Sequence, residues 1–405
     1  MTYGGWKPGE LDIHFIQTGC GEQTFFILPD GTTMLVDCGD MYRPQYLRHV
    51  PRQPSPARLG GEWVSRYVSR VLPAKDGAPR AGRAAIDYFI LTHWHSDHCG
   101  APDLRTEPAA DGRRVCGVTR FAEDFDIRHY FDHQYPRQDA WCNAGYDKAS
   151  LEMMRAWIPL MHDRCGMQAH AFEVGAVGQI RMLGSDAAKW AGAFSIRNIH
   201  ANGVYWDGHG KTVDYKPEFC RRVKGSNGRV YENSLSLGFR LDYGAFSAYF
   251  GGDIDFPDYE SHLAPVIGKV EVCKMNHHGC PSSMGADLCR CLAPRLYLAA
   301  IWSPNQVTEK NLVNMASREL YPGKRFICPG YLPEVKRRAF AECDFLADFL
   351  PVQGHVVVKV APGGTGWEFF VLSAADESMT VAYHRAMRRA DVAPSPESEC
   401  EKERE

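Results

Sequence analysis

The feature that most constrains this chain is His93-Trp94-His95-Ser96-Asp97-His98, placed directly after the apolar stretch AIDYFILT. Residues 85–92 read as a buried strand, being short, apolar and rich in aromatic and β-branched residues. A strand that stops at such a run delivers its side chains into a tight loop and does not disperse them round a helix. His93 and His95 stand two apart in extended chain, so they point the same way and can share one cation. The turn that follows brings Asp97 and His98 to a second position nearby. Neutral imidazole and carboxylate suit zinc, and also manganese or iron.

A loop of this kind needs distant partners, and two stretches offer them in the same context. Asp253 follows the strand AFSAYF after Gly251-Gly252, where glycine lets the backbone turn sharply and bring a carboxylate close to a cation. Asp255 is a weaker rival two residues on. His277-His278-Gly279 ends the strand VEVCKM. Adjacent histidines do not readily face one side of an extended chain, so one is expected to bind metal while the other touches substrate or packs. Asp37, closing the apolar strand of LVDCGD, reads either as a carboxylate that orients a ligand histidine or as a turn cap. Asp40 reads the same way, more weakly.

Around these residues the chain is strand-rich at both ends. LDIHFIQTG and TFFILPDGTTMLVD alternate, with a hairpin signal at Asp30-Gly31. A short helix is expected in WVSRYVSRVL, and another over Lys148 to Met161 with Leu151, Met154, Trp157, Ile158 and Met161 on one face. Strand-like pieces follow at VGQIRML and SIRNIH, and 207–229 reads as a loop. NSLSLGFRLDYGAFSAYFGGD reads as a hairpin, APRLYLAAI as a strand, and HVVVKVAPGGTGWEFFVLS as a closing hairpin. One domain is expected over 1–375, with 101–230 a divergent or inserted helical and irregular segment. From 376 to 405 a helix and a disordered polar tail are expected.

Composition narrows the partners. With 44% hydrophobic residues among 405, the chain can fill a large core, and a net charge of −3 gives no overall attraction to nucleic acid or anionic membrane. No window reaches the roughly 18 apolar residues of a membrane span, and no secretory signal opens the chain. The 14 cysteines are scattered without a C-x-x-C pair, which points to buried reduced thiols and a cytoplasmic protein. No GxxxxGK[ST] loop is present.

With those residues in view, the chain resembles the metallo-β-lactamase fold family, and more narrowly the soluble domain of the ComEC-type DNA-uptake proteins. The resemblance rests on LDIHFIQTGCGEQTFFILPDGTTMLVDCGD, LTHWHSDHCG, ENSLSLGFRLDYGAFSAYFGGDID and VEVCKMNHHG, in that order, over most of residues 11 to 300. It implies an α/β fold, an αββα sandwich, with two divalent metal ions at one edge of the sheets. His93 and His95 would hold the first ion and Asp97 and His98 the second. Asp253 would bridge them, His277 would complete the second, and Asp37 would orient a ligand. Asp97 would also serve catalysis, with His278, Asn233 and Ser234 as donors to a phosphoryl or carbonyl oxygen.

The chain departs from the pattern at three places. Asn233-Ser234 stands where most of the superfamily has a further histidine for the first ion, as in ComEC-type members; His200 and His209 are the histidines that could substitute, and neither is assigned to the site. Gly21-Glu22 replaces the glycine-aspartate of the first turn. SPNQVTEKNL takes the place of a downstream His-Pro element.

The function this implies is hydrolysis by metal-activated water. The favoured substrate is a phosphodiester, in nucleic acid or a nucleotide. Basic clusters at Arg221, Arg222 and Lys224 and at Lys336, Arg337 and Arg338 are of a kind that tracks phosphates. Hydrolysis of a carboxylic ester, amide or lactone is the alternative. A non-catalytic metal-binding protein with 101–230 as its partner surface is a third.

Overall fold

A computed structural model describes residues 1–41, 50–73, 83–102, 108–109, 111–136, 148–222, 231–303, 305–316, 325–328, 338, 350 and 352–387. Two sheets are stacked face to face. The first has nine strands and the second eight among the described residues.

Side-chain alternation explains the stacking. In Thr24–Ile27, Phe25 and Ile27 point to an outer helical layer, while Phe26 points to the other sheet. Phe239, Leu241, Ala248 and Phe250 answer from the opposite face, with the Phe26 and Phe250 rings 5.0 Å apart. Tyr249, between Ala248 and Phe250, turns outward to the second helical layer. Strands covered on both faces are apolar almost throughout, and Phe246–Phe250 is buried at every position. The helices Gly60–Val71 and Lys148–Cys165 cover the first sheet through Val64, Val68, Met154 and Trp157, and Pro257–Ile267 covers the second through Leu263 and Ile267. The order is α, β, β, α, the sandwich expected from the sequence.

Several local expectations are corrected. The stretch 101–230 supplies Phe125–Asp132 and Gln168–Ala171 to the first sheet and Val204–Trp206 and Thr212–Asp214 to the second, besides the expected helix and the expected strand at SIRNIH, which is Phe194–Ala201. Its strands carry polar and charged residues among the apolar ones, as in FDIRHYFD of Phe125–Asp132, which dilutes their alternation. VGQIRML forms no strand beyond a single bridge from Val177 to Arg197. Val381–Met387 is a strand paired antiparallel with Trp367–Leu372, where a helix was expected. This edge strand exposes most of its side chains, so it lacks the alternation that marks a half-buried one. The tail from 388, and the side chains of Arg221, Arg222, Lys224, Lys336 and Arg337, lie outside the described residues.

Among the described residues nine cysteines form no disulfide, but Cys291 is disulfide-bonded, against the expectation of reduced thiols throughout. No described helix is long and apolar enough to cross a membrane.

Within the first sheet, Thr33–Val36, Ala84–Ile90, Phe125–Asp132 and Gln168–Ala171 run parallel, as do Phe246–Phe250, Val272–Lys274 and Leu296–Leu298 in the second. The carboxyl ends of parallel strands in open sheets are where ligands settle. Here those ends open into Asp37, the loop from His93, His133, Asp253 and the turn at His277-His278.

Candidate metal centre

The loop from His93 is shaped by its backbone before its side chains. His95 is extended and caps a one-turn helix, Ser96–Cys99, which presents Asp97 and His98 inward. The neighbouring strand end clasps this turn: Cys38 N donates to His98 O at 2.8 Å and Asp40 N to Ser96 O at 3.1 Å. Glu22 N donates to Asp97 O at 2.8 Å, so the first turn of the chain joins the clasp. The approach is so close that a Cβ on Gly39 would lie 1.6 Å from Asp97 O, which explains glycine there.

Asp37 sits at the hub of the ligand loop. Its Oδ2 accepts from His98 Nδ1 at 2.7 Å and from the Thr92 hydroxyl at 2.8 Å, while Oδ1 accepts from Thr92 N at 2.8 Å. The Thr92 hydroxyl in turn lies 3.1 Å from His93 Nδ1. Both rings are thereby fixed through Nδ1; His93 Nε2 is buried with no hydrogen-bond partner, and His98 Nε2 is turned to Asp253.

Opposite them stands Asp253. Its Oδ2 is 3.1 Å from His98 Nε2 and 2.8 Å from His278 Nε2. Its Oδ1 accepts from Lys274 Nζ at 3.1 Å, and the same ammonium lies 2.8 Å from Glu22 Oε1. Asp97 Oδ2 is 3.4 Å from His278 Nε2 and 4.0 Å from His98 Nε2.

The charges show what this set fits. Asp37, Asp97, Asp253 and Glu22 are four carboxylates facing one ammonium, all out of water. Burial would drive the His98 imidazolium to give up its proton, but Asp253 and Asp37 overrule burial and hold its pKa well above the ordinary range. Burial likewise opposes charge on His278, and Asp253 again wins, raising its pKa. Burial would raise Asp253, yet His278, His98 and Lys274 hold it well below the ordinary range. Burial works against Asp97 too, but His278 and His98 lower it. Glu22 is raised by burial despite Lys274.

His93 differs: burial, then the charges of His98 and His95, pull its pKa well down, so it is a bare neutral imidazole. Protons on His98 and His278 thus balance an excess of negative charge in a dry pocket. A divalent cation balances the same charge while binding the same nitrogens, and loading it would release those protons. Glu22, His98, Asp253 and His278 offer ligand atoms all within 4.8 Å of one another. The donor set of carboxylate and imidazole fits zinc, manganese or iron.

The structure therefore gathers His93, Asp97, His98 and Asp253 as expected, with the His95 ring 4.7 Å from that of His93. The two adjacent histidines trade places relative to expectation. His278 enters the cluster and packs on Trp302 at 4.1 Å, whereas His277 turns away with 21% of its side chain exposed. Both have φ in the left-handed region, 41° and 52°, and this double turn sets their rings 65° apart. An extended-strand reading cannot foresee such a turn.

Asn233 Nδ2 lies 2.9 Å from His277 Nε2, which leaves it a second N–H, and Ser234 Oγ donates to Asp255 Oδ1 at 2.8 Å. His200 is buried between Ser236 O and the Tyr249 hydroxyl, and His209 is on the surface, so neither supplies the missing ligand. Asp40 accepts from Gly60 N and pairs with Arg52, a structural duty.

Lys274, Glu232 and His133 were missed. Lys274 was legible as the one basic residue in VEVCKM. His133 follows a strand just as His93 does, but its strand was masked by the weak pattern of 101–230.

Residues 18–104 match the family model described as Metallo-beta-lactamase superfamily, a stretch that holds Glu22, Asp37 and the whole loop from His93 to His98. A lactamase-like protein, nscB, of Arthroderma otae is 27% identical over 101 residues, which is 25% of this chain and 26% of that protein's length. Zn(2+)-bound PqqB from Methylobacterium extorquens aligns over 86% of this chain and 99% of its own, at 9% identity and a TM-score of 0.40.

Proposed function

We propose, from the premise that the chain carries a metallo-β-lactamase superfamily domain, that it is a metal-dependent hydrolase acting on a phosphodiester, in nucleic acid or a nucleotide. The observation that carries the reading is the meeting of Glu22, His98, Asp253 and His278, drawn from four separate segments, in one buried cluster. The phosphodiester preference rests on the ComEC-type resemblance of the motifs.

A divalent cation bound there supplies a nucleophile from water at neutral pH, lowering the water's pKa from about 15.7 to near 7, and opposes charge developing on the substrate. The chain's own residues do the rest. Asp37 keeps His98 in the tautomer with Nε2 bare, and through Thr92 it does the same for His93. Lys274 pins Asp253 and Glu22 together and offsets part of their repulsion. His277 stands at the rim: Asn233 donates to its Nε2, so its proton sits on Nδ1, which has no hydrogen-bond partner. That nitrogen is buried and lies 3.7 Å from Asp255 Oδ2.

A second reading, hydrolysis of a carboxylic ester, amide or lactone, draws on the lactamase-like relative. Metal-loaded protein is to be assayed on bis-p-nitrophenyl phosphate beside ester and lactam reporters, with Asp253→Ala as control. Turnover of the phosphodiester that falls more than about a hundredfold in Asp253→Ala is expected. Turnover of ester or lactam reporters alone supports the second reading. Metal uptake with no turnover supports a binding protein of this fold, and phosphodiester turnover unchanged in Asp253→Ala refutes the site.

A further inference from the structure

We propose that Glu232 is the third ligand of the first cation position, beside His93 and His95, and that His133 is the residue that holds it there. The proposal rests on the metal-centre reading above and deepens it.

The sequence lacks the histidine usual for that position, and the structure removes the substitutes. His200 has both ring nitrogens engaged, His209 is on the surface, and the Asn233 amide is turned to His277. One residue before Asn233, the Glu232 carboxylate is buried against the ligand loop itself. Its Oε1 accepts from Trp94 N at 2.8 Å, the backbone amide between His93 and His95. The segment stays alongside the loop, because Leu237 N donates to Thr92 O at 3.0 Å. The same Oε1 accepts from His133 Nε2 at 2.8 Å, and Trp94 packs on the His133 ring at 4.4 Å.

This leaves an uneven carboxylate. Oε1 holds two donors, while Oε2 is buried with no hydrogen-bond partner. A bare anionic oxygen out of water is costly unless a cation or donor completes it. His93 Nε2 is buried and bare as well. Two imidazoles and one carboxylate, with a fourth position open, form a donor set that suits catalytic zinc.

His133 does not need to touch the cation. By donating from Nε2 it fixes one carboxylate oxygen and leaves the other for the cation, as outer partners of metal ligands do. Among the described residues only the donors around His98 have ligand atoms within 4.8 Å of one another, and His93, His95 and Glu232 are not gathered so closely, so the Glu232 position is the weaker of two unequal ones.

The test is zinc titration of chelator-stripped full-length protein against a chromophoric chelator, for wild type, Glu232→Gln and His133→Gln. Metal-free melting curves of all three confirm folding. Wild type is expected to bind two equivalents of unequal affinity. Glu232→Gln, which keeps an acceptor for Trp94 N, is expected to lose the weaker one. His133→Gln is expected to keep both, with the weaker affinity reduced about tenfold. If Glu232→Gln does not fold, the His133→Gln shift decides, since an unchanged weaker class overturns the proposal. Two equivalents with unchanged affinities in Glu232→Gln overturn it, and so does a single equivalent in wild type. Wild type that binds no zinc at all refutes the metal centre itself, a distinguishable failure.

Discussion

Asp37→Asn exposes the logic of the site with the least disturbance. Asparagine tolerates the left-handed backbone that Asp37 adopts at φ 57°, so the substitution changes hydrogen bonding and little else. The carboxylate accepts three bonds, one at Oδ1 from Thr92 N and two at Oδ2 from the Thr92 hydroxyl and His98 Nδ1. An amide has a single oxygen to offer.

If that oxygen faces Thr92 N, the amide NH2 meets His98, which must then carry its proton on Nε2 and lose the lone pair meant for the cation. If the oxygen faces His98, the NH2 meets the buried Thr92 N–H, and an unsatisfied donor costs about 1–3 kcal/mol. Substituting an outer partner of this kind weakens metal binding about 10- to 100-fold, which corresponds to roughly 1.4–2.7 kcal/mol. The first orientation predicts weak zinc with normal stability of the metal-free protein. The second predicts near-normal zinc with a lower melting temperature. Chelator competition and thermal denaturation of the same preparations measure both quantities. Asp37→Asn protein with wild-type zinc affinity and wild-type stability would refute the reasoning.

Three further outcomes are expected. His278→Ala should lose zinc affinity by more than about tenfold while His277→Ala keeps it, and the reverse order by chelator competition would restore the assignment made from sequence. Gly39→Ala should destabilise the fold by at least about 1–3 kcal/mol in denaturant titration, because its Cβ would overlap the Asp97 carbonyl; wild-type stability would show that the loops are not clasped as described. Burial, with His14 nearby, lowers the His355 pKa to about 3. The unfolded chain therefore takes up this proton first as pH falls below about 6.5, and stability is lost from there towards pH 3. The melting temperature of metal-free wild type should fall relative to His355→Gln over that range, and a constant difference would exclude the effect.

Legibility from sequence followed the range of the determining interactions. The loop from His93 to His98 was readable because its candidate ligands are spaced by local chain geometry and introduced by a strand whose apolar run is unmistakable. Asp253 was readable for the same reason, as a carboxylate released by glycines at a strand end. His277 and His278 were readable as a pair but not as individuals, since two successive left-handed residues decide which ring faces inward. Glu232 and His133 were not readable. They are 99 residues apart in sequence and meet only by a hydrogen bond across the ligand loop.

The sequence by itself determined the two-sheet sandwich, through alternation that sends Phe26 one way and Phe25 the other, and it marked where the candidate metal-binding loop starts. Tertiary packing alone decided which donors surround that loop, because the clasp of Gly39 on Asp97 and the burial of Lys274 between Glu22 and Asp253 join segments that share no local pattern. Periodicity is a property of neighbours along the chain. The electrostatic balance of a buried site is a property of neighbours in space, and only folding brings those together.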